Sequence, residues 1–234
     1  MDKEKESASG YVVPETISES VFNYIKKLII DNKLKGNTRI NEKEIANTLH
    51  VSITPVREAL LKLGSSGFVN IISYREVLVK KTSLKEFKEI YQVIGNLESL
   101  AITLAINRIS HEKIREIELL TREMEQHWRK KSIKKFLNVN VIIHNKLWED
   151  VPNEFLMTTL RGTHDQMLRY NHARFHAFKK PGVIEASMNE HKLILEALKN
   201  RHKGKLKRLM FQHWAHLLKP APFEEGLKEY FDKD

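Results

Sequence analysis

The chain has 234 residues, with 40 Lys or Arg against 30 Asp or Glu and a formal net charge of +10. It contains no cysteine, which excludes a disulfide scaffold, thiolate zinc fingers and a cysteine nucleophile. No apolar run approaches the ~18 residues of a membrane-spanning helix, and the charged start Met1-Asp2-Lys3-Glu4-Lys5-Glu6 leads into no apolar signal segment. A cytoplasmic, basic protein without a membrane partner is predicted. Residues 1–82 hold 13 basic and 10 acidic side chains, and residues 83–234 hold 27 and 20. The charge is therefore compatible with a nucleic-acid partner but does not locate its site.

Residues 1–16 are charged and small, and read as a flexible tail. After Pro14, the apolar residues Ile17, Val21, Tyr24, Ile25, Leu28 and Ile29 recur at helical spacing. Asn32 to Gly36 break that helix. Asn41-Glu42-Lys43-Glu44 then has the form of a capping box, opening a short helix that buries Ile45 and Leu49. Past the turn His50-Val51-Ser52, Thr54-Pro55 reads as an N-cap followed by proline at the first helical position. This third helix runs through Val56, Leu60, Leu61 and Leu63 and stops near Ser65-Ser66-Gly67. Phe68 to Ile72 and Val77 to Lys80 predict a hairpin joined through Tyr74 and Arg75. From about Thr82 onward the pattern is helical. Breaks at Ile109-Ser110, Lys131-Ser132, Val151 to Asn153, Lys180 to Gly182, Arg201 to Gly204 and Pro220 to Pro222 delimit about six helices. The predicted fold is mainly α, with a winged helix-turn-helix over residues 17–82 and an all-α helical bundle over residues 83–234.

Helix, short helix, tight turn, second helix and hairpin is the order in which a recognition helix enters the major groove N-terminus first. Ser52, Thr54 and Arg57 stand at that mouth. Their hydroxyls suit phosphate or base contacts, and the guanidinium fork suits guanine or phosphate. The run Val51-Ser52-Ile53-Thr54-Pro55-Val56-Arg57-Glu58-Ala59-Leu60, continued by Leu63, Gly67, Phe68 and Val69, resembles the signature of the GntR family of bacterial transcription regulators. The resemblance implies that Lys43, Ser52, Thr54 and Arg57 contact double-stranded operator DNA, with Arg75 at the wing tip reaching the minor groove. Ile53 stands where the family usually has Arg, and the wing lacks the common Gly. An altered operator is the expected consequence. Glu58 is expected to pair with a neighbouring cation, because phosphate repels a carboxylate.

Nine of the eleven histidines follow residue 126. Asn140 and His144 share a helical face. His191 and His213 flank the break at Arg201 to Gly204, so an antiparallel helix pair brings them to similar depth. Spacing alone is equally consistent with ordinary surface or core histidines. The set Asn140-Val141-Ile142-Ile143-His144, Glu190-His191 and His213 resembles the ligand-sensing FCD domain of FadR-like GntR regulators, which holds a divalent metal on Asp and three His. The resemblance implies a site of Asn140, His144, His191 and His213. With Asn in place of Asp the set has no carboxylate, and it favours Zn or Ni. It also implies an effector that is a small organic acid, although Ile94 stands where many relatives place an Arg. His164 has no support from the motif, and His172 and His176 are expected at the surface. Trp128, Trp148 and Trp214 are expected in the core or at a dimer contact. Together these features predict a homodimeric repressor on a palindromic operator. The alternative is a metal-dependent hydrolytic enzyme, since three histidines and an open position also describe catalytic zinc.

Overall fold

The structure, a computed structural model, describes residues 15–73, 76–216 and 222–231. The tail expected over residues 1–16 falls mostly outside these, as does Arg75 at the wing tip. The chain divides into two units, Met1–Lys81 and Thr82–Asp234.

In the first unit, α1 (Ile17–Ile30) is capped by Thr16, whose hydroxyl accepts the Glu19 amide at 3.1 Å. It buries Val21, Ile25 and Ile29, while Ile17 faces solvent. The Asn41 side chain caps α2 (Glu42–Leu49), accepting the amides of Lys43 at 3.1 Å and Glu44 at 3.3 Å. Replacing Asn41 by Ala is expected to cost about 1 kcal/mol, read as a lower denaturant midpoint at unchanged slope.

The third helix, α3 (Ile53–Ser65), begins earlier than the Thr54-Pro55 pattern predicts: Ser52 is the N-cap and Pro55 lies within the first turn. Proline is tolerated there because the amides of the first turn have no partner inside the helix. Val56, Ala59, Leu60 and Leu63 enter the core, and Leu61 remains exposed. Gly67 at φ 72° turns the chain out of α3 in a left-handed conformation.

Strands β1 (Val69–Ser73) and β2 (Glu76–Val79) pair antiparallel, with Val69 opposite Val79 and Ile71 opposite Val77. Arg39 adds an isolated bridge to Leu78. Val69, Val77 and Val79 close the core beneath the helices. The result, among the described residues, is three helices and a two-stranded wing.

The second unit is all helical: α4 (Leu84–Ala105), α5 (His111–Arg129), α6 (Ile133–Trp148), α7 (Glu154–Leu168), α8 (Asn171–Ala177), α9 (Val183–Lys199), α10 (Lys203–His216) and α11 (Pro222–Phe231). Eight helices among the described residues replace the six expected. One unforeseen break is at Arg169 and Tyr170, where no Gly or Pro marks it. It is tertiary in origin, because Arg169 and Tyr170 both bond Glu86 at the start of α4.

Helix α4 packs against α10, α7 and α6. Helix α5 packs on α6 and α9, α9 on α10, and α8 on α11. At Gly226 of α11 an added Cβ would lie 2.7 Å from the Ala177 Cα, so glycine permits the close approach to α8. Arg201 donates to the carbonyls of Ile106 and Ile109, closing the C-terminal end of α4. Lys199 meets Glu118 at 2.7 Å and Lys205 meets Glu196 at 3.3 Å.

Candidate metal centre and nucleic-acid interface

Three helices of the second unit each deliver one imidazole to a common point. Asn140 and His144 lie one turn apart on the buried face of α6, His191 lies on α9 and His213 on α10. All four side chains are buried. The histidines offer nitrogens that all lie within 4.8 Å of one another, and the His191 and His213 ring centroids are 4.6 Å apart.

Hydrogen bonding sets which nitrogens face inward. Nδ1 of His144 meets Glu98 Oε2 at 2.7 Å, Nδ1 of His191 meets the Ser187 carbonyl at 2.8 Å, and Nδ1 of His213 meets Glu190 Oε2 at 2.7 Å. An acceptor at each Nδ1 holds the proton there and leaves Nε2 with its lone pair, the arrangement of metal-ligating histidines. His144 Nε2, His191 Nε2 and Asn140 Oδ1 are buried and have no partner. Such orphans are rare in a finished core, and His144 and His191, with His213 beside them, could hold a metal ion. Burial pushes the His191 imidazole well below its ordinary pKa, with His213 and His144 adding to the effect. Burial likewise lowers His213. Both are thus held neutral, the form that ligates.

The residues fit a divalent metal. His144, His191 and His213 would hold it, through three imidazole nitrogens.

Sequence reasoning missed the group that organises this site. Glu98 on α4, 1% exposed, accepts from His144 Nδ1, from Trp214 Nε1 at 2.7 Å and from His164 Nε2 at 2.6 Å. Burial drives the Glu98 carboxyl upward, but His144 and His164 outweigh it and hold it well below the usual carboxylate range. One signal was available. Glu98 falls on the face that also carries Phe87, Tyr91 and Ile94, where a lone acid must have buried partners. His164, without motif support, is one of those partners. Of the tryptophans, Trp148 and Trp214 are buried and Trp128 packs on the core.

In the first unit Lys43, Ser52, Thr54 and Arg57 are all exposed, along the start of α2 and the first turns of α3. Ser52 makes no capping bond through its side chain. Arg57 Nε donates to Glu42 Oε2 at 2.9 Å, so the acid opposite it comes from α2 rather than from Glu58.

A helix-turn-helix with a β-wing, joined to an all-helical unit with a buried three-histidine cluster, defines a DNA-binding transcription regulator with a sensor domain. The chain belongs to the GntR family, FadR-like branch. Residues 17–79 match the bacterial regulatory proteins of the gntR family, and residues 89–216 match the FCD domain.

Curated relatives agree with that membership. The HTH-type transcriptional regulator YdhC of Bacillus subtilis (strain 168) is 26% identical over 201 residues, covering 83% of this chain and 86% of that protein. The HTH-type transcriptional regulator McbR of Escherichia coli (strain K12) is 25% identical over 195 residues, covering 83% and 88%. The solved structure of E. coli McbR/YncC superposes with a TM-score of 0.73 at 22% identity, covering 92% of this chain and 99% of that one. The family is one of transcription regulators, so the hydrolytic alternative is set aside. No helix among the described residues is long and apolar enough to cross a membrane.

Proposed function

We propose that this protein is a cytoplasmic, homodimeric repressor that binds a palindromic operator and responds to a small organic acid sensed in its metal-containing helical domain. The observation that carries this reading is the set of three buried imidazoles with every Nδ1 fixed, linked to a GntR helix-turn-helix. Asn140, His144, His191 and His213 would hold the metal, Zn or Ni, which when bound would supply a Lewis acid for the effector's oxygen. Glu98 and Glu190, bonded to His144 and His213, offset part of the ion's charge, and an anionic effector would balance the rest. Lys43, Ser52, Thr54, Arg57 and Arg75 contact the DNA. One such helix reads only a few base pairs, so a second copy is needed for specificity. Val93, Leu100 and Leu104 form an exposed apolar stripe on α4, beside exposed Phe211 on α10, and offer that copy a surface to pair on. The effector acts by binding one state of the dimer more tightly than the other.

The test is selection of bound sequences from random duplex DNA, with metal analysis of the same protein. The selected site is expected to be a palindrome, and the wild-type protein to carry one Zn or Ni per chain. His191→Ala is expected to lose the metal and keep the palindrome. Recovery of no palindrome, or equal metal content in the two proteins, would overturn the reading.

A further inference from the structure

Two arginines of the helical unit are buried, Arg169 and Arg174. Arg169 has its counter-charge, since Nη1 lies 3.3 Å from Glu86 Oε1. Arg174 does not. It is 1% exposed, and among the described residues no carboxylate comes within ion-pair distance of it. Its Nη1 reaches only Asn171 Oδ1, at 3.4 Å in its own helix, and its Nε has no acceptor. Beside it stands Tyr91, also 1% exposed, whose hydroxyl lies within hydrogen-bond reach of the guanidinium and takes no other partner among the described residues. Burial raises the Tyr91 phenol, and the nearby Arg174 charge opposes that rise. A buried guanidinium with no carboxylate beside it among the described residues, answered only by a phenol and an amide, is an expensive thing to bury unless something completes it.

The partner's chemistry follows from the donors and their walls. A planar fork of N–H groups with one O–H is built for an oxyanion, and best for a carboxylate. The surroundings are aromatic. Tyr91 stacks on Phe87 with centroids 4.1 Å apart, and its ring lies 6.4 Å from Phe223 and 5.1 Å from Trp214. Trp214 in turn lies 5.0 Å from His144. Such walls suit an acid with an apolar body rather than a bare hydrated ion. Tyr91 and Glu98 share one face of α4 seven residues apart, about 10 Å along the axis. The arginine is therefore a handhold distinct from the imidazoles. Ile94, between them and fully buried, contributes no charge.

We propose that Arg174, assisted by the Tyr91 hydroxyl, receives the carboxylate of an organic acid with an apolar or aromatic body. This deepens the sensor reading above and rests on it. In the ligand-free protein Arg174 is a destabilising charge, and binding of the acid neutralises it.

Thermal unfolding of the Zn-loaded full chain tests this, with benzoate, hexanoate and adipate as probes, benzamide and hexanamide as uncharged controls, and inorganic phosphate as the bare anion. Without additive, Arg174→Met is expected to melt at or above the wild-type temperature, because an uncompensated charge gives way to a packed apolar side chain. At least one organic carboxylate is expected to raise the wild-type midpoint by several degrees, its amide to raise it less, and the Arg174→Met midpoint to stay unmoved. Tyr91→Phe is expected to melt like wild type and show a reduced carboxylate shift. The assignment fails if Arg174→Met melts below wild type, if the carboxylate shift survives in it, if no organic carboxylate shifts the wild type, or if phosphate alone does. Zn content and palindrome selection on the wild-type protein report separately on the sensor reading, which fails if both are absent whatever the melts show.

Discussion

Exchanging Glu98 for Gln is expected to weaken metal binding about 10–100-fold and to lower folding stability by about 3–5 kcal/mol. The carboxylate accepts from three donors: the Nδ1 of His144, the Nε2 of His164 and the indole N–H of Trp214. An amide has one oxygen and one NH2 group, so at least one donor would face another donor in a site closed to water. If the NH2 takes the Oε2 place, His144 and Trp214 both lose their acceptor. If it takes the Oε1 place, His164 does. The stability loss therefore persists without metal, whereas the affinity loss depends on how firmly His144 is still aimed. Competition with a chromophoric chelator gives the first quantity, and denaturant melts of the metal-free protein give the second. Wild-type values for both would show that Glu98 is a bystander to the cluster.

The second large effect is expected at Arg57. Its replacement by Ala should cost about 1–3 kcal/mol per half-site and relax base preference at one operator position. The argument rests on placement, since Arg57 lies in the first turns of α3 with its side chain 63% exposed and held to Glu42 of α2. That pair is a surface contact of small worth, so the guanidinium is free to exchange Glu42 for a base edge or phosphate. Lys43→Ala, by contrast, should weaken all sequences alike and reduce the slope of log affinity against log salt by about one. Electrophoretic shifts across a salt series on the selected palindrome and its single-base variants separate the two patterns. A uniform loss at Arg57 would make it a phosphate contact. No loss would remove it from the interface.

The parts of the molecule legible in the sequence are those encoded locally. The run Thr54-Pro55-Val56-Arg57-Glu58-Ala59-Leu60 is contiguous, and the breaks at Pro152, Pro181 and Pro222 announce themselves through proline. His144, His191 and His213 are readable through their resemblance to the FCD pattern, and they meet because α9 and α10 fold back on one another as a pair. What was not legible depends on tertiary partners. Glu98 and His164 are 66 residues apart, and no period links them. The break at Tyr170 exists because its hydroxyl is anchored to Glu86, a contact with no sequence signature. On α8 the histidines draw attention, yet His172 is exposed and His176 Nδ1 meets the Gly226 carbonyl at 3.0 Å, while the charged side chain that is buried there is Arg174. The start of α3 was misplaced because Thr-Pro and Ser-Ile-Thr-Pro both satisfy capping rules, and only the backbone decides between them.

Helix α4 has one consequence beyond packing. Its inner side carries Glu98, which grips His144, and Tyr91, which faces Arg174. Its outer side carries Val93, Leu100 and Leu104. It is also the first helix after the wing, starting at Leu84, five residues past the end of β2 at Val79. A rod of 22 residues bends little, so a small slide or roll at its inner side must appear on its outer side as well. One stiff element thus carries the Glu98 anchor and the neighbour of Arg174 on a single rod, so within the helical unit the two are displaced together.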